Sequence, residues 1–287
     1  MVRRRIAEQP TSRLAIWSRR LALFSLAATF IAVIIVRSGA LEIVPALSTL
    51  AGALFLAVVA ILLAFSAAIA IWVEGVGGVR EAATGFLIGL ALIAYPAYVG
   101  VKAYRLPAIY DVTTDPIDPP RFEAIARLRP RDANPVTYAG LHIAEQQRAA
   151  YSDIEPDLTT ATPQEAYDAV LKVVTKRKWH VVDARPPQAV APRDGLIEAI
   201  ARTPILGFRD DVVVRIRTTP EGSRIDVRSA SRYGRHDLGT NASRVRALID
   251  DVDDVLAAPA PKKEQPPAVL PKPAPAQAAG KGASVKR

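Results

Sequence analysis

Hydrophobic residues follow two regimes along this chain. Up to residue 104 they form three long runs, and beyond it they recur at every second, third or fourth position. The first run, Leu21 to Val36, carries no charge and lies between Arg19-Arg20 and Arg37. At ~1.5 Å per residue it reaches ~24 Å, slightly short of a ~30 Å hydrocarbon core. Ile16 and Trp17 extend it at one interface while the arginines snorkel. The second run, Ile43 to Val73, is also free of charge and tolerates Pro45 near its start. The third goes from about Ala82 to Val101. Its Tyr95, Tyr98 and Tyr104 fit an interfacial aromatic belt, and Pro96 predicts a kink or the last turns. The pattern predicts three transmembrane helices at about 21–37, 43–73 and 82–103. Two spans behind the first argue against a cleaved signal peptide.

Residues 105–160 read as an extended, proline-punctuated segment of a soluble domain, with a short helical piece from Glu145 to Ala150. An α+β core at 161–257 follows. Thr162-Pro163-Gln164-Glu165 has the form of a capping box with proline at the first helical position. Tyr167, Val170, Leu171 and Val174 make the apolar face of that helix. Four strands are predicted: Trp179–Asp183, Gly195–Thr203, Val212–Thr218 and Arg224–Ser231, the last two joined by a turn at Pro220–Ser223. Val212, Val214 and Ile216 alternate with Arg215 and Arg217, which predicts strands buried on one side with a solvated arginine face. A final helix runs from a cap at Asn241 to Leu256, burying Val245, Leu248, Ile249, Val252 and Val255. The predicted fold is a three-span α-helical anchor plus an α+β soluble domain ordered helix, four-stranded antiparallel sheet, helix, with both helices on one face. Residues 258–287, rich in Pro, Ala and Lys with almost nothing large or apolar, are predicted to be a disordered tail.

Charge changes this picture. The net charge of +9 would ordinarily suggest nucleic acid, but its distribution does not. Residues 1–20 carry +5, residues 21–150 are neutral, residues 151–258 carry −1 and residues 259–287 carry +5. The folded part is neutral, so a nucleic-acid partner is excluded. Arg3, Arg4, Arg5, Arg13, Arg19 and Arg20 instead read as a positive-inside signal. This predicts a multi-pass protein of the cell inner (plasma) membrane with a cytoplasmic N-terminus and residues 105–287 periplasmic. There is no cysteine to report on the compartment. The spans carry no buried charge pair, which removes support for a transporter or proton relay. The lysines of the tail suit anionic lipid, an envelope protein or an anionic cell-wall component, and an inert solvated tail serves equally.

The chemistry-bearing residues gather between the last strand and the last helix. Phe208-Arg-Asp210-Asp211 precedes Arg228-Ser-Ala-Ser-Arg232-Tyr-Gly234-Arg-His236-Asp237-Leu-Gly239-Thr-Asn241. Together with Asp111-Val-Thr-Thr-Asp115 and Asp118-Pro-Pro-Arg-Phe122, these stretches resemble the bacterial and plant family known as domain of unknown function 1499. The resemblance covers roughly residues 109–257. It implies a domain boundary and no established activity, and N-terminal membrane spans are one arrangement in that family.

Three readings of the motif stand side by side. In the structural one, Gly234 and Gly239 supply special backbone conformations, Asp237 accepts backbone N–H groups, Asn241 caps the helix, and Arg232 or Arg244 pairs with Asp210 or Asp211. In the binding one, the loop cradles an anion such as a lipid headgroup, with candidate ligand residues Asp210, Asp211, Arg228, Arg232, Gly234, His236, Asp237, Gly239, Asn241 and Arg244. In the catalytic one, His236 beside Asp237 acts as a general base on an anionic substrate. No nucleophile sits in a recognised elbow, so no residue is assigned to catalysis. His142, His180 and His236 are scattered, and prolines stiffen the loop of Asp111, Asp115 and Asp118, so neither metal nor cofactor is expected. The expected function is that of a non-enzymatic, membrane-anchored envelope protein whose extracytoplasmic domain binds a protein, lipid or cell-wall partner. An envelope enzyme using the loop around Asp237 is the alternative.

Overall fold

Apolar runs of this length leave the backbone no partner in lipid except itself, and all three are helical. The structure, a computed structural model, describes residues 9–188 and 193–258. Helices α1 (Arg13–Ser38), α2 (Ile43–Glu74) and α3 (Val79–Arg105) are each long and apolar enough to cross a membrane. They outrun the apolar segments at most ends, because helical hydrogen bonding continues past the hydrocarbon edge while hydrophobicity reports only the part in lipid. Pro96 accordingly lies inside α3 rather than in its last turns.

Small residues join the three helices. Ala53, Ala57, Ala60, Ala64 and Ala67 form a buried seam on α2 at alternating spacings of four and three. The Ser18 hydroxyl donates to the Ala60 carbonyl (2.9 Å) and the Ser25 hydroxyl to that of Ala53 (2.7 Å). A Cβ at Gly89 would stand 2.6 Å from Ile61 Cγ1 and 3.1 Å from the Ala57 carbonyl oxygen. Close backbone approach and such hydrogen bonds are what hold helices together where lipid removes the hydrophobic drive.

The soluble domain follows as β1 (Asp111–Thr113), α4 (Ala124–Leu128), α5 (Leu141–Ala150), β2 (Asp157–Thr159), α6 (Pro163–Lys176), β3 (His180–Arg185), β4 (Gly195–Arg202), β5 (Arg209–Thr219), β6 (Gly222–Ser231) and α7 (Thr240–Ala257). The antiparallel sheet has six strands, not the four expected. Its order is β1-β6-β5-β4-β3, with β2 also on β6. The extra strands come from the proline-punctuated segment and lie along β6, Asp111 opposite Ala230 and Asp157 opposite Ile225. At three residues each they are too short to display alternation. Gly222 permits the second pairing: its φ is 146°, and a Cβ there would meet the Thr159 carbonyl oxygen at 2.2 Å.

The capping box of α6 forms, Thr162 and Glu165 satisfying each other's backbone N–H groups. Helices α6 and α7 cover one sheet face, with Val170, Val173, Val245 and Leu248 packed over Val212, Val214, Ile225 and Val227. The opposite face is only partly solvated: its Arg215, Arg217 and Arg224 are half-buried in ion pairs, and part of it is covered. Phe122 and Ile125 cover Leu196, Val213 and Ala230 there. Glu198, fully buried in mid-β4, explains how a five-residue helix settles on that face. Its carboxylate accepts the N–H groups of Glu123 (2.8 Å), Ala124 (3.0 Å) and Ile125 (2.8 Å), the otherwise unpartnered donors at the start of α4. The expectation for the tail falls on residues 259–287, outside the described residues.

Two outcomes follow from this packing. Gly89→Ile should separate α2 from α3, measured as loss of a disulfide crosslink between cysteines placed on the two helices, whereas the same change at Gly100, which has open space, should not. Asp157 lines a small apolar cavity with Val170, Ile225, Leu248 and Val252, and its pKa is raised first by burial and then by the charge of Asp253. A carboxyl whose folded pKa lies above its unfolded one costs stability above that value, and the cost fades as pH falls through it. Asp157→Asn should therefore raise the melting temperature of the full-length protein in detergent at neutral pH, with the gain disappearing on acidification.

Candidate functional site

Strand alternation divides the candidate residues before any chemistry is considered. Asp210 and Asp211 are neighbours on β5 and so point to opposite faces of the sheet. On the helix-covered face, Asp210 meets Arg244 Nη2 at 2.5 Å. Arg244 Nη1 donates to Ser229 Oγ (2.8 Å) and to Asn241 Oδ1. The Ser229 hydroxyl also donates to Asn241 Oδ1 (2.8 Å), and Asn241 Nδ2 donates to the Tyr110 carbonyl (2.9 Å) and to Ser231 Oγ (3.0 Å). Burial pushes the Asp210 carboxyl up, and Arg244 pulls against it. Asn241 thus spends its side chain inside the domain instead of capping α7. Asp237 takes the capping role, accepting from Gly239 N–H (3.0 Å) and Asn241 N–H (2.8 Å). Its own carboxyl is raised by burial against these two bonds.

On the opposite face, Asp211 is fully buried and shared by two guanidinium groups. Arg129 Nε approaches one carboxylate oxygen and Arg232 Nε the other, both at 2.8 Å. Arg129 Nη1 continues to the carbonyls of Asn134 (2.7 Å) and Pro135 (2.9 Å). Next along β6, Arg228 makes a bidentate pair with Asp111 (3.0 and 2.6 Å). It also donates to the carbonyls of Pro120 (3.0 Å) and Val136 (2.9 Å), with its guanidinium 4.7 Å from the Phe122 ring centroid and 5.5 Å from that of Tyr138. Burial raises the Asp111 carboxyl while Arg228 opposes it. The Tyr138 hydroxyl is pushed up to about 12 by burial and by the Asp111 charge.

Farther along, Arg215, Arg217 and Arg224 converge on Asp115, Asp118 and Asp226. Burial works against the ionised form of Asp115. The Asp118 N–H, Arg224, the Ile117 N–H and Arg217 together outweigh it and hold the carboxyl below its ordinary value. The three aspartates considered as calcium ligands are therefore directed at arginines.

The loop from β6 to α7 faces a third way, toward α3. His236 Nδ1 accepts the Leu238 N–H (3.0 Å), so Nε2 carries the proton and donates to the carbonyls of Ala103 (3.0 Å) and Leu106 (3.2 Å). The imidazole caps the end of the third span. Gly239, at φ 73°, would bring a Cβ to 3.0 Å from Leu106 Cδ1. Gly234, at φ 84°, turns its carbonyl to Asn134 Nδ2 (2.7 Å).

The ten candidates thus fall into three sets that do not share a pocket. That Arg232 and Arg244 pair with Asp210 and Asp211 is what the sequence suggested; which arginine takes which aspartate, and their division between two faces, is not. Sequence reasoning missed Arg129, Glu198, Asp226 and Gln147. Gln147 is buried and bonds both backbone groups of Thr113 (3.0 and 2.7 Å) like an extra strand. Glu198 had a signal, an acid centred in the apolar run Leu196-Ile197-Glu198-Ala199-Ile200. Arg129 had none.

Residues 111–252 match the family described as "Protein of unknown function (DUF1499)". No curated protein and no solved structure matches the chain.

Removing one partner of a buried pair strands the other charge, at a cost of roughly 3–5 kcal/mol, whereas replacing both is often close to neutral. Arg228→Met should destabilise the full-length protein accordingly, and adding Asp111→Leu should recover most of the loss, as read by urea unfolding followed in the near-ultraviolet circular dichroism. Equal losses in the single and double variants would mean that the carbonyl contacts of Arg228, not its ion pair, carry the effect.

Proposed function

We propose, from the premise that residues 111–252 belong to the DUF1499 family, that this chain is a membrane-anchored binding module of the cell envelope. In this reading the anchor lies in the inner membrane, the N-terminus is cytoplasmic, and the domain from residue 105 onward binds its partner outside the cytoplasm. The observation that favours it over an enzymatic role is the engagement of the reactive groups of the motif. Both nitrogens of His236 are hydrogen-bonded, both oxygens of Asp237 accept backbone N–H groups, and Asp210 and Asp211 each hold arginine. A general base needs a free lone pair aimed at a substrate proton. The only lone pair that His236 Nδ1 has is spent on Leu238. The alternative, an enzyme acting on an anionic substrate through the Asp237 loop, therefore receives no support from this geometry.

The orientation rests on the arginines before and at the start of α1 and on the odd number of spans. The near-charge-free linkers between the helices leave it to those arginines. Alkaline phosphatase fused after residue 257 should be active in intact cells, and a reporter that folds only in the cytoplasm should be silent at the same position. The reverse pair of results would overturn the orientation.

A further inference from the structure

The charges of the motif are closed, but those at one end of the same sheet face are not. Arg202, the last residue of β4, lies directly opposite Arg209, the first of β5. Both are exposed, and neither makes an ion pair among the described residues. Like charges in register across a strand pair are unfavourable unless an anion lies between them. By alternation both arginines share the face of Asp211. Behind them that one carboxylate already serves both Arg129 and Arg232, which leaves a positive charge uncompensated. Arg232 is held beside Arg209, its N–H donating to the Arg209 carbonyl (3.4 Å). The acid at this rim, Asp132, faces the Tyr233 hydroxyl at 3.5 Å.

The position of this end of the sheet identifies what would meet it. The hairpin joining β4 to β5 is gripped by Arg37, whose Nη1 donates to the carbonyls of Pro204 (2.6 Å) and Ile205 (3.2 Å). Arg37 is the first charge beyond the apolar run of α1, so it marks the membrane interface. Ile205 stands exposed at the tip of the hairpin. Arg202 is two residues from Pro204, about 7 Å at the rise of a strand, which places it in the headgroup layer above an interfacial tip.

We propose that Arg202 and Arg209 form a binding site for the phosphate of an anionic phospholipid in the leaflet where α1 and α3 end, with Ile205 seated among the upper acyl carbons. The bound phosphate relieves the repulsion of the opposed arginines and balances the excess charge at Asp211. This rests on the binding-module reading and names one ligand for it, but it holds in either orientation of the anchor.

The chain has no cysteine, so Ile205→Cys in the full-length protein can carry a single fluorophore. In mixed vesicles, spin-labelled phosphatidylglycerol should quench it in preference to spin-labelled phosphatidylcholine, with an enrichment on the order of tenfold. Arg202→Gln with Arg209→Gln should bring the ratio near unity without lowering the melting temperature, while Arg202→Lys with Arg209→Lys should keep most of it. No preference in the parent, or an unchanged preference in the glutamine variant, would overturn the proposal. No lipid preference in the parent together with binding of inorganic phosphate that the glutamine variant loses would overturn the lipid assignment and leave a free-phosphate site. Because the assay reads lipid contact rather than compartment, its failure and a reversed fusion result are separate outcomes.

Discussion

Arg228 lies between Phe122 and Tyr138 with its guanidinium on Asp111, and it is almost wholly removed from water. The rest of the domain is arranged around that requirement. A buried ion pair repays its desolvation only when the geometry is good and the remaining protons find acceptors. Here the acceptors are the carbonyls of Pro120 and Val136, and the partner carboxylate comes from β1. One strand arginine thereby fixes the edge strand, the loop after it and the far end of the covering segment. Asp211 does the same with Arg129 and Asn134, and Glu198 with the start of α4. The sheet is covered by apolar side chains on its helical face and largely by matched charges on the other.

Hydrophobic burial is non-directional and tolerates small slips, whereas a bidentate pair does not. The segment from residue 114 to 136 has few apolar residues to bury, and its seating depends on points of polar attachment. Phe122 and Ile125 are the apolar exceptions, and they sit where Leu196, Val213 and Ala230 leave the charged face an apolar patch. The short helix α4 would be marginal by itself. It persists because a strand carboxylate satisfies its first three backbone donors.

This division also explains what could be read from the chain. The spans, α6 with its capping box, the four long strands and α7 were legible because each repeats a period over enough residues to be distinctive. Arg215, Arg217 and Arg224 carried a correct alternation and a wrong inference. A polar strand face looks the same whether it meets water or the carboxylates of Asp115 and Asp118, which are distant in sequence. The strands β1 and β2 were illegible for the related reason that their pairing is set by β6 and not by their own three residues. At the candidate site it was legible that Arg232 and Arg244 have Asp210 and Asp211 as partners, but not which pairs with which. The opposition of Asp210 and Asp211 across the sheet needed the register of β5.

The same logic links the domain to its anchor. Polar groups at the two points of contact are again matched: His236 donates to the end of α3, and Arg37 from α1 donates to the β4–β5 hairpin. A single contact would leave the domain free to pivot about the end of one span. Two contacts on different helices restrain that rotation and hold the β4–β5 end of the sheet at the end of α1. Asp111, Asp115, Asp210, Asp211 and Asp226 are committed inside the domain, where their arginines are. Arg202 and Arg209, opposed at the end of the sheet, are left with no such partner among the described residues, and under the lipid-binding proposal a headgroup phosphate supplies the negative charge.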